Sequence, residues 1–427
     1  MKKRTTILIC VMFILSHTLV VASGYQVLLQ GNRQTGNGNI GVSLFPDASS
    51  IFFNPGSLGF MRHNNLIIGG NLIFAGNTYW DSEVDGSLYK VSSNNPAGTP
   101  FHVYGVWGPE DQPWKVGLGI YTPYGSGVDW GNEWMGQYLL RRISLKTIFF
   151  QPTVAYQLNE TISVGGGFVY AIGNVNLQRG LPISSSVIDP SVELNGGASG
   201  VGYNLGVFMK LSSKLNLGLN YRSKVNMKVN DGDATFSVPS GLSTLFPAGN
   251  TFDAELPLPA NFSIGLTYAV SEKLSLSTEA NWVGWSAYDT LSFDFKENTN
   301  MLADINSPRQ YKDSWVFKLG AEFKTTDKLT LRVGGYYDQT PVKEGYMTPE
   351  TPDASRIGLT AGVSYKLSDR LNLDASFLFI NGMERRQTTE DAIVAGTINP
   401  SRGRQDVLPG TYQLNAFIPG VSISYNF

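Results

Sequence analysis

The chain has 427 residues, of which 42% are hydrophobic, 12% aromatic and only 15% charged, whereas an ordinary soluble domain carries about 25% charged residues. Its 32 basic and 34 acidic side chains leave a formal charge of −2, so there is no basic surplus to engage a phosphate backbone, which argues against nucleic acid as a partner. The low charge calls for an environment other than water around much of the surface.

Lys2, Lys3 and Arg4 precede the apolar run Ile7–Val21, and the small residues of Val20-Val21-Ala22-Ser23-Gly24 come after it. This is the layout of a secretory signal, and the run is too short for a spanning helix. Residues 1–24 are therefore expected to be removed, with the mature chain beginning between Ser23 and Tyr25. Ile7-Leu8-Ile9 stands before Cys10 where a lipoprotein needs a small residue. Cleavage removes the single cysteine, which leaves no disulfide or thiol chemistry. No later segment approaches the apolar length of a membrane helix, so an exported chain of this kind is either soluble or a β-barrel.

Residues 25–60 are not strand-like. The segment is rich in Gly and Asn and contains Asp47-Ala48-Ser49 and Asn54-Pro55-Gly56. Pro55 supplies a rigid φ and Asn54 a side chain that bonds local backbone, so a fixed turn is expected there. Gly36 to Gly41 formally satisfies G-x-G-x-x-G, but no apolar strand precedes it, Pro46 interrupts the residues after it, and no acidic residue stands about 20 positions on. A dinucleotide site needs a strand before, a helix after and that acidic residue, so these glycines are read as turn residues.

From residue 61 onward the pattern has period two. Ile357, Leu359, Ala361, Val363, Tyr365 and Leu367 alternate with Gly358, Thr360, Gly362, Ser364 and Lys366. Apolar residues on one face and small or polar ones on the other make a half-buried strand. Similar runs occur at 262–270, 274–282, 315–323, 329–337 and 371–379. Pairs of runs meet across short polar turns at Asn159-Glu160, Ser212-Ser213, Ser271-Glu272, Thr325–Asp327, Ser368-Asp369 and Pro109–Pro113. Longer Gly-, Pro-, Ser- and Asn-rich segments separate the pairs, at approximately 77–100, 122–143, 174–199, 231–258, 286–313, 341–355 and 383–410. Short turns at one end and long loops at the other are the layout of an outer-membrane barrel. The count gives an all-β, 14-stranded antiparallel transmembrane barrel over residues 61–427, and the unequal loops argue against a soluble sandwich or solenoid. Tyr156, Tyr170, Tyr221, Tyr268, Trp282, Tyr337 and Tyr365 lie near strand ends, as interfacial aromatics do. Lys318, Glu322, Arg332, Asp338 and Asp374 fall on the lumen register, and the chain closes on an alternating strand ending in Phe427.

The segment at 25–60, with Asp47-Ala48-Ser49 and Asn54-Pro55 but Gly56 in place of the usual Ala, resembles the N-terminal plug of the FadL family of outer-membrane transporters for long-chain fatty acids and other hydrophobic compounds. Val116–Gly125 resembles that family's third strand. Tyr138, Gln151–Tyr156 and Ser163–Gly167 resemble its fourth and fifth, and Leu256–Pro259 with Gly265–Tyr268 the entry to its eighth. The resemblance implies a monomeric barrel in the Gram-negative outer membrane, blocked by an N-terminal hatch that includes Asp47, Asn54 and Pro55. It also implies passive uptake of a hydrophobic ligand, most simply a long-chain fatty acid, caught by outer loops and released sideways at a kinked third strand. No cofactor is implied. Outer-membrane lipid, lipopolysaccharide and the barrel assembly machinery, reading the strand that ends at Phe427, are the other expected partners.

Three groups of residues are candidate sites. Leu181, Ile183, Val187 and Ile188 in one long segment, and Phe236, Leu242, Leu245 and Phe246 in another, are apolar where water is expected, which marks either ligand capture or packing between loops. Arg141 and Arg142 are candidate carboxylate partners, as are Arg385 and Arg386; lipopolysaccharide phosphate and plain solvation are the competing roles. In the strand 114–122 the inward register reads Lys115, Gly117, Gly119, Tyr121, with Pro123 just beyond. Glycine inside a strand marks a kink or bulge, so Gly117, Gly119, Tyr121 and Pro123 are the expected lateral gap. His63 and His102 have no clustered ligands for a metal, and no G-x-S-x-G elbow announces a hydrolase. A general diffusion porin and an outer-membrane lipid-acting enzyme are the alternatives.

Overall fold

Period-two alternation lets one strand face two different environments, and a row of such strands can close so that no edge remains. The computed structural model describes residues 24–84 and 87–427, so the signal read at 1–24 lies, apart from Gly24, outside the described residues. Fourteen antiparallel strands form the wall. They are β1 (Asn65–Asn71 and Phe74–Val84), β2 (Ser87–Ser92 and Phe101–Trp107) and β3 (Trp114–Tyr121 and Gly125–Asp129), followed by β4 (Arg142–Gln157), β5 (Ile162–Gly180) and β6 (Ser191–Lys210). Next come β7 (Leu215–Arg222 and Val225–Ser237), β8 (Asn250–Leu258 and Asn261–Ala269), β9 (Leu274–Val283) and β10 (Ser314–Lys324). The last four are β11 (Leu329–Asp338), β12 (Arg356–Lys366), β13 (Leu371–Gly382) and β14 (Gly410–Asn426). The first and last strands pair from Asn65↔Asn426 through Trp80↔Thr411, which closes the barrel.

Polarity is inverted relative to a soluble protein. Ile68, Val154, Leu319, Val333 and Val421 are exposed on the outside, while Gln151, Asn204, Thr267, Lys318 and Asp374 are buried within. Trp107, Trp114, Tyr156, Tyr268, Tyr365 and Tyr425 stand exposed near the ends that carry the short turns, which is where an interfacial belt belongs.

Several strands run further than the sequence suggests. Most of the segments expected as loops at 77–100, 174–199 and 231–258 are strand, and the link between β5 and β6 shrinks to 181–190. The reason is visible in β6. In its lower half Val201, Tyr203 and Leu205 face outward, opposite Gly202, Asn204 and Gly206; in its upper half Glu193 and Asn195 face outward, and Val192 and Leu194 are buried within. The strand keeps its register while its surroundings change from lipid to water outside and from hatch to apolar cavity inside. A polar outward face in a Gly- and Asn-rich stretch reads as loop although the backbone is extended.

Inside the barrel, residues 24–60 form a hatch with short helices at α1 (Asn32–Gly36) and α2 (Ser50–Phe53) and a 3-10 turn at Pro55–Phe60. The turn expected at Asn54-Pro55 is present: the Asn54 side-chain oxygen accepts from Gly56 N at 3.0 Å, and its amide donates to Val42 O at 2.8 Å and Val207 O at 3.0 Å. Just before α2, Asp47 accepts from Ser49 N at 2.9 Å, and it holds Arg33 of α1 at 3.2 Å. The G-x-G-x-x-G stretch is a turn, with Gly38 at φ 73° and Asn39 at φ 58°. Gly38 N donates to Thr360 Oγ1 of the wall at 2.9 Å.

The hatch is fixed to the wall mainly through polar groups. Glu279 of β9 accepts from Gly41 N at 2.9 Å and Val42 N at 3.0 Å, and pairs with Lys318 of β10 at 2.7 Å. Lys318 also donates to Asn39 O at 2.8 Å. Gln151 of β4 donates to Ile51 O at 2.7 Å, and Arg222 of β7 reaches Phe52 O while lying over the Phe52 ring.

Candidate functional site

Above the hatch, the inward faces of β4 to β8 are apolar, and they enclose a cavity of about 830 Å³. Leu145, Val175, Met227, Val229 and Leu256 make its walls, Phe293 and Leu291 of an outer hairpin its roof, and Tyr25 of the hatch its floor. Tyr25 is held by a 2.7 Å hydrogen bond to Pro257 O and by ring contacts with Trp285 at 4.9 Å and Tyr288 at 5.7 Å. Such an apolar lining suits a small hydrophobic ligand.

The cavity meets a break in the wall. Strands β2 and β3 pair from His102↔Tyr121 to Trp107↔Val116, and the side chain of Thr122 still bonds Phe101. Higher up, Asn94 N donates to Asp129 O at 2.8 Å. Between these points residues 96–100 and 123–128 share no hydrogen bond among the described residues. The edge of β3 is used from inside instead: Val27 N donates to Pro123 O at 2.9 Å and Gly125 N to Tyr25 O at 3.1 Å. The cavity-lining Ser126 belongs to this unpaired stretch.

The predicted gap residues divide accordingly. Pro123 lies at the break. Gly117 and Gly119 lie lower, in the fully laddered part of β3, where an added Cβ would stand 2.7 and 2.8 Å from Ile51 of the hatch. Their lack of a side chain makes room for the hatch. Tyr121 is buried, bonds Gln151 and packs on Phe52 at 5.1 Å.

Three of the predicted carboxylate partners, Arg141, Arg142 and Arg385, already have partners. Arg141 is 3% exposed and makes two 2.6 Å contacts with Asp189, with Gln137 at 2.7 Å; Arg142 pairs with Asp129 at 2.8 Å. Arg385 donates to Asp353 O and Val342 O. The cation that does line the cavity is Arg309, which the sequence did not single out. Of the apolar loop residues, Leu181, Ile183, Phe236, Leu242, Leu245 and Phe246 pack on the outer apolar cluster, with Phe236 and Phe246 at 5.4 Å, while Val187 is 87% exposed. None of the seven lines the cavity. His102 is buried and stacks on Tyr104 at 5.7 Å, and among the described residues no cluster of three metal-ligating side chains forms.

The space on the other side of the hatch is different in kind. A cavity of about 850 Å³ between the hatch and strands β11 to β14 is lined by Arg33, Asp47, Arg332, Ser364, Asp374 and Asn426 among other mostly polar groups. A second, of about 410 Å³, holds Arg222, Glu279, Lys318 and several amides.

Comparison with known proteins places this architecture. The family described as "Outer membrane protein transport protein (OMPP1/FadL/TodX)" matches residues 13–427. A putative outer membrane protein, NMB0088 of Neisseria meningitidis, is 24% identical over all of this chain and 98% of its own length. The long-chain fatty acid transport protein of Escherichia coli K12 is 22% identical, over 72% of this chain and 78% of its own. Among solved structures, a Pseudomonas aeruginosa FadL homologue superimposes with a TM-score of 0.80 at 20% identity, covering 95% of this chain and 100% of that one. The Ralstonia pickettii toluene transporter TbuX gives 0.67 at 18% identity, covering 93% and 98%.

Proposed function

This chain belongs to the FadL/TodX family of outer-membrane transport proteins, a family of transporters and not of enzymes, and from that premise we propose that it takes up hydrophobic small molecules passively through a lateral exit between β2 and β3. The ligand is caught by the outer loops, enters the apolar cavity above the hatch, and leaves sideways into the bilayer. Long-chain fatty acids, named in several relatives, are the first cargo to test, and monoaromatic hydrocarbons the second.

The observation that carries the reading is the contrast between the two sides of the hatch. An apolar ligand moving down would have to enter a cavity lined by Arg33, Asp47, Arg332 and Asp374, whereas the unpaired stretch at 96–100 and 123–128 breaks the wall beside the apolar cavity. Burying apolar surface gains roughly 25 cal/mol per Å², so the sideways path keeps the ligand in apolar surroundings. The wall remains sound there because the N-terminal residues supply part of the missing ladder.

The exit therefore sits above Gly117 and Gly119, at Thr122 to Val128. The strand that ends in Phe427 gives the assembly machinery its handle, and the barrel works as a monomer. Proteoliposomes carrying the protein are expected to take up labelled hexadecanoate or toluene while showing no swelling in small sugars. Swelling at porin rates would replace this reading with that of a general diffusion pore.

A further inference from the structure

An apolar cavity can accept a charged head group only where it offers a counter-charge. The side chains lining the upper cavity include one cation, Arg309, and one carboxylate, Glu350. Arg309 is 3% exposed, and its guanidinium is already engaged: it donates to Ser307 Oγ at 2.9 Å and Tyr288 OH at 3.3 Å, and pairs with Glu350 at 3.5 Å. Glu255 lies on the outward register of β8, exposed and 3.8 Å from Lys228, and its charge stays outside the cavity. The other arginines near the cavity are committed elsewhere, Arg141 to Asp189, Arg142 to Asp129 and Arg222 to Phe52 of the hatch. Arg179 lies within electrostatic reach of Glu350, with Asp406 beside it. Tyr25, Tyr288, Thr351, Thr147 and Ser126 are further polar groups of the lining.

We infer that the cavity selects uncharged ligands: hydrocarbons, long-chain alcohols, and fatty acids in their protonated form. This rests on the uptake reading above. A bound carboxylate would add a negative charge to a lining whose one cation is already paired with Glu350. An isolated buried carboxylate is costly enough that the group takes up a proton instead. The far oxygen of Glu350, Oε2, is buried and has no hydrogen-bond partner. Its uncompensated negative charge would repel a carboxylate brought up to Arg309 and would not act against an uncharged ligand.

The test is equilibrium binding of labelled hexadecanol and labelled hexadecanoic acid to the full-length protein in lipid nanodiscs, between pH 5 and pH 8. Hexadecanol is expected to bind with the same affinity throughout. Hexadecanoic acid is expected to bind at least tenfold more weakly than the alcohol at pH 8 and to gain affinity steadily as the pH falls. Glu350→Gln, which leaves Arg309 without its carboxylate, is expected to strengthen hexadecanoate binding at pH 8 by tenfold or more, with folding checked by heat-modifiable migration. Equal binding of the two ligands by the native protein at pH 8, with no pH slope for the acid, would overturn the inference even if the variant cannot be folded. So would a folded Glu350→Gln protein with an unchanged preference. If the native protein binds neither ligand, the uptake reading falls and the inference with it.

Discussion

Glu279→Ala is the perturbation that bears most directly on the hatch. The native carboxylate pairs with Lys318 at 2.7 Å and accepts from Gly41 N and Val42 N at 2.9 and 3.0 Å, and both side chains of the ion pair are 2% exposed. Removing one partner of a buried pair costs about 3–5 kcal/mol, because the other charge stays behind uncompensated. Two hatch N–H groups lose their acceptor at the same time, at about 1–3 kcal/mol each where water does not replace it. These costs overlap, so roughly 5 kcal/mol is the working figure, or between three and four decades in an equilibrium constant at about 1.4 kcal/mol per decade. The charge left on Lys318 is relieved only if water reaches it, which favours displacement of residues 39–43 from the wall. In planar bilayers the native protein is expected to be electrically quiet and the variant to open in bursts. The double variant Glu279→Gln/Lys318→Met, which has no orphaned charge, should lie much closer to the native trace. A silent single variant, or a double variant that leaks more than the single one, would refute the idea that this ion pair holds the hatch.

Three further outcomes are expected. Ser126→Trp, which fills the cavity side of the unpaired stretch, should lower uptake of labelled ligand at least tenfold in a barrel that still shows heat-modifiable migration; full uptake would place the exit elsewhere. Gly218→Val sets a side chain against the Val42 carbonyl of the hatch, where even a Cβ collides, and should raise conductance and proteolysis of the segment 25–58 with the barrel intact. Asp353, in the outer loop between β11 and β12, has its carboxyl pushed up to about 7 by burial, Arg356 pulling the other way. Its folded-state value lies above the ordinary carboxylate value of about 3.9, so the folded protein holds a proton that the unfolded chain has lost. Its contribution to stability is complete below pH 4 and falls as the pH rises toward 7. The thermal midpoint of the folded gel band should accordingly drop between pH 5 and pH 8, and Asp353→Asn should flatten that slope; an identical slope in the variant would assign it to other groups.

The features that the sequence determined by itself are those that rest on short-range pattern. Alternation from Ile357 to Leu367 gives a strand with one lipid-facing side whatever its neighbours are. The short turns at Ser212-Ser213 and Ser368-Asp369 mark one end of the barrel, and Asn54-Pro55 builds its own turn from its own side chain. Closure, strand number and the inward charges come from that periodicity. Tertiary structure decided everything that depends on partners far apart in the chain. Arg141 looked available for a ligand until Asp189 came to it from 48 residues away. Gly117 and Gly119 looked like a gap until Ile51 of the hatch filled the space beside them. The upper halves of β5 to β7 looked like loops because their outward side faces water, and only the fold shows that their inward side faces an apolar cavity. Arg309, Glu350 and Tyr25 meet at that cavity from three separate segments, and no local pattern records such a meeting, because the charge balance of a cavity is set by the walls that close around it.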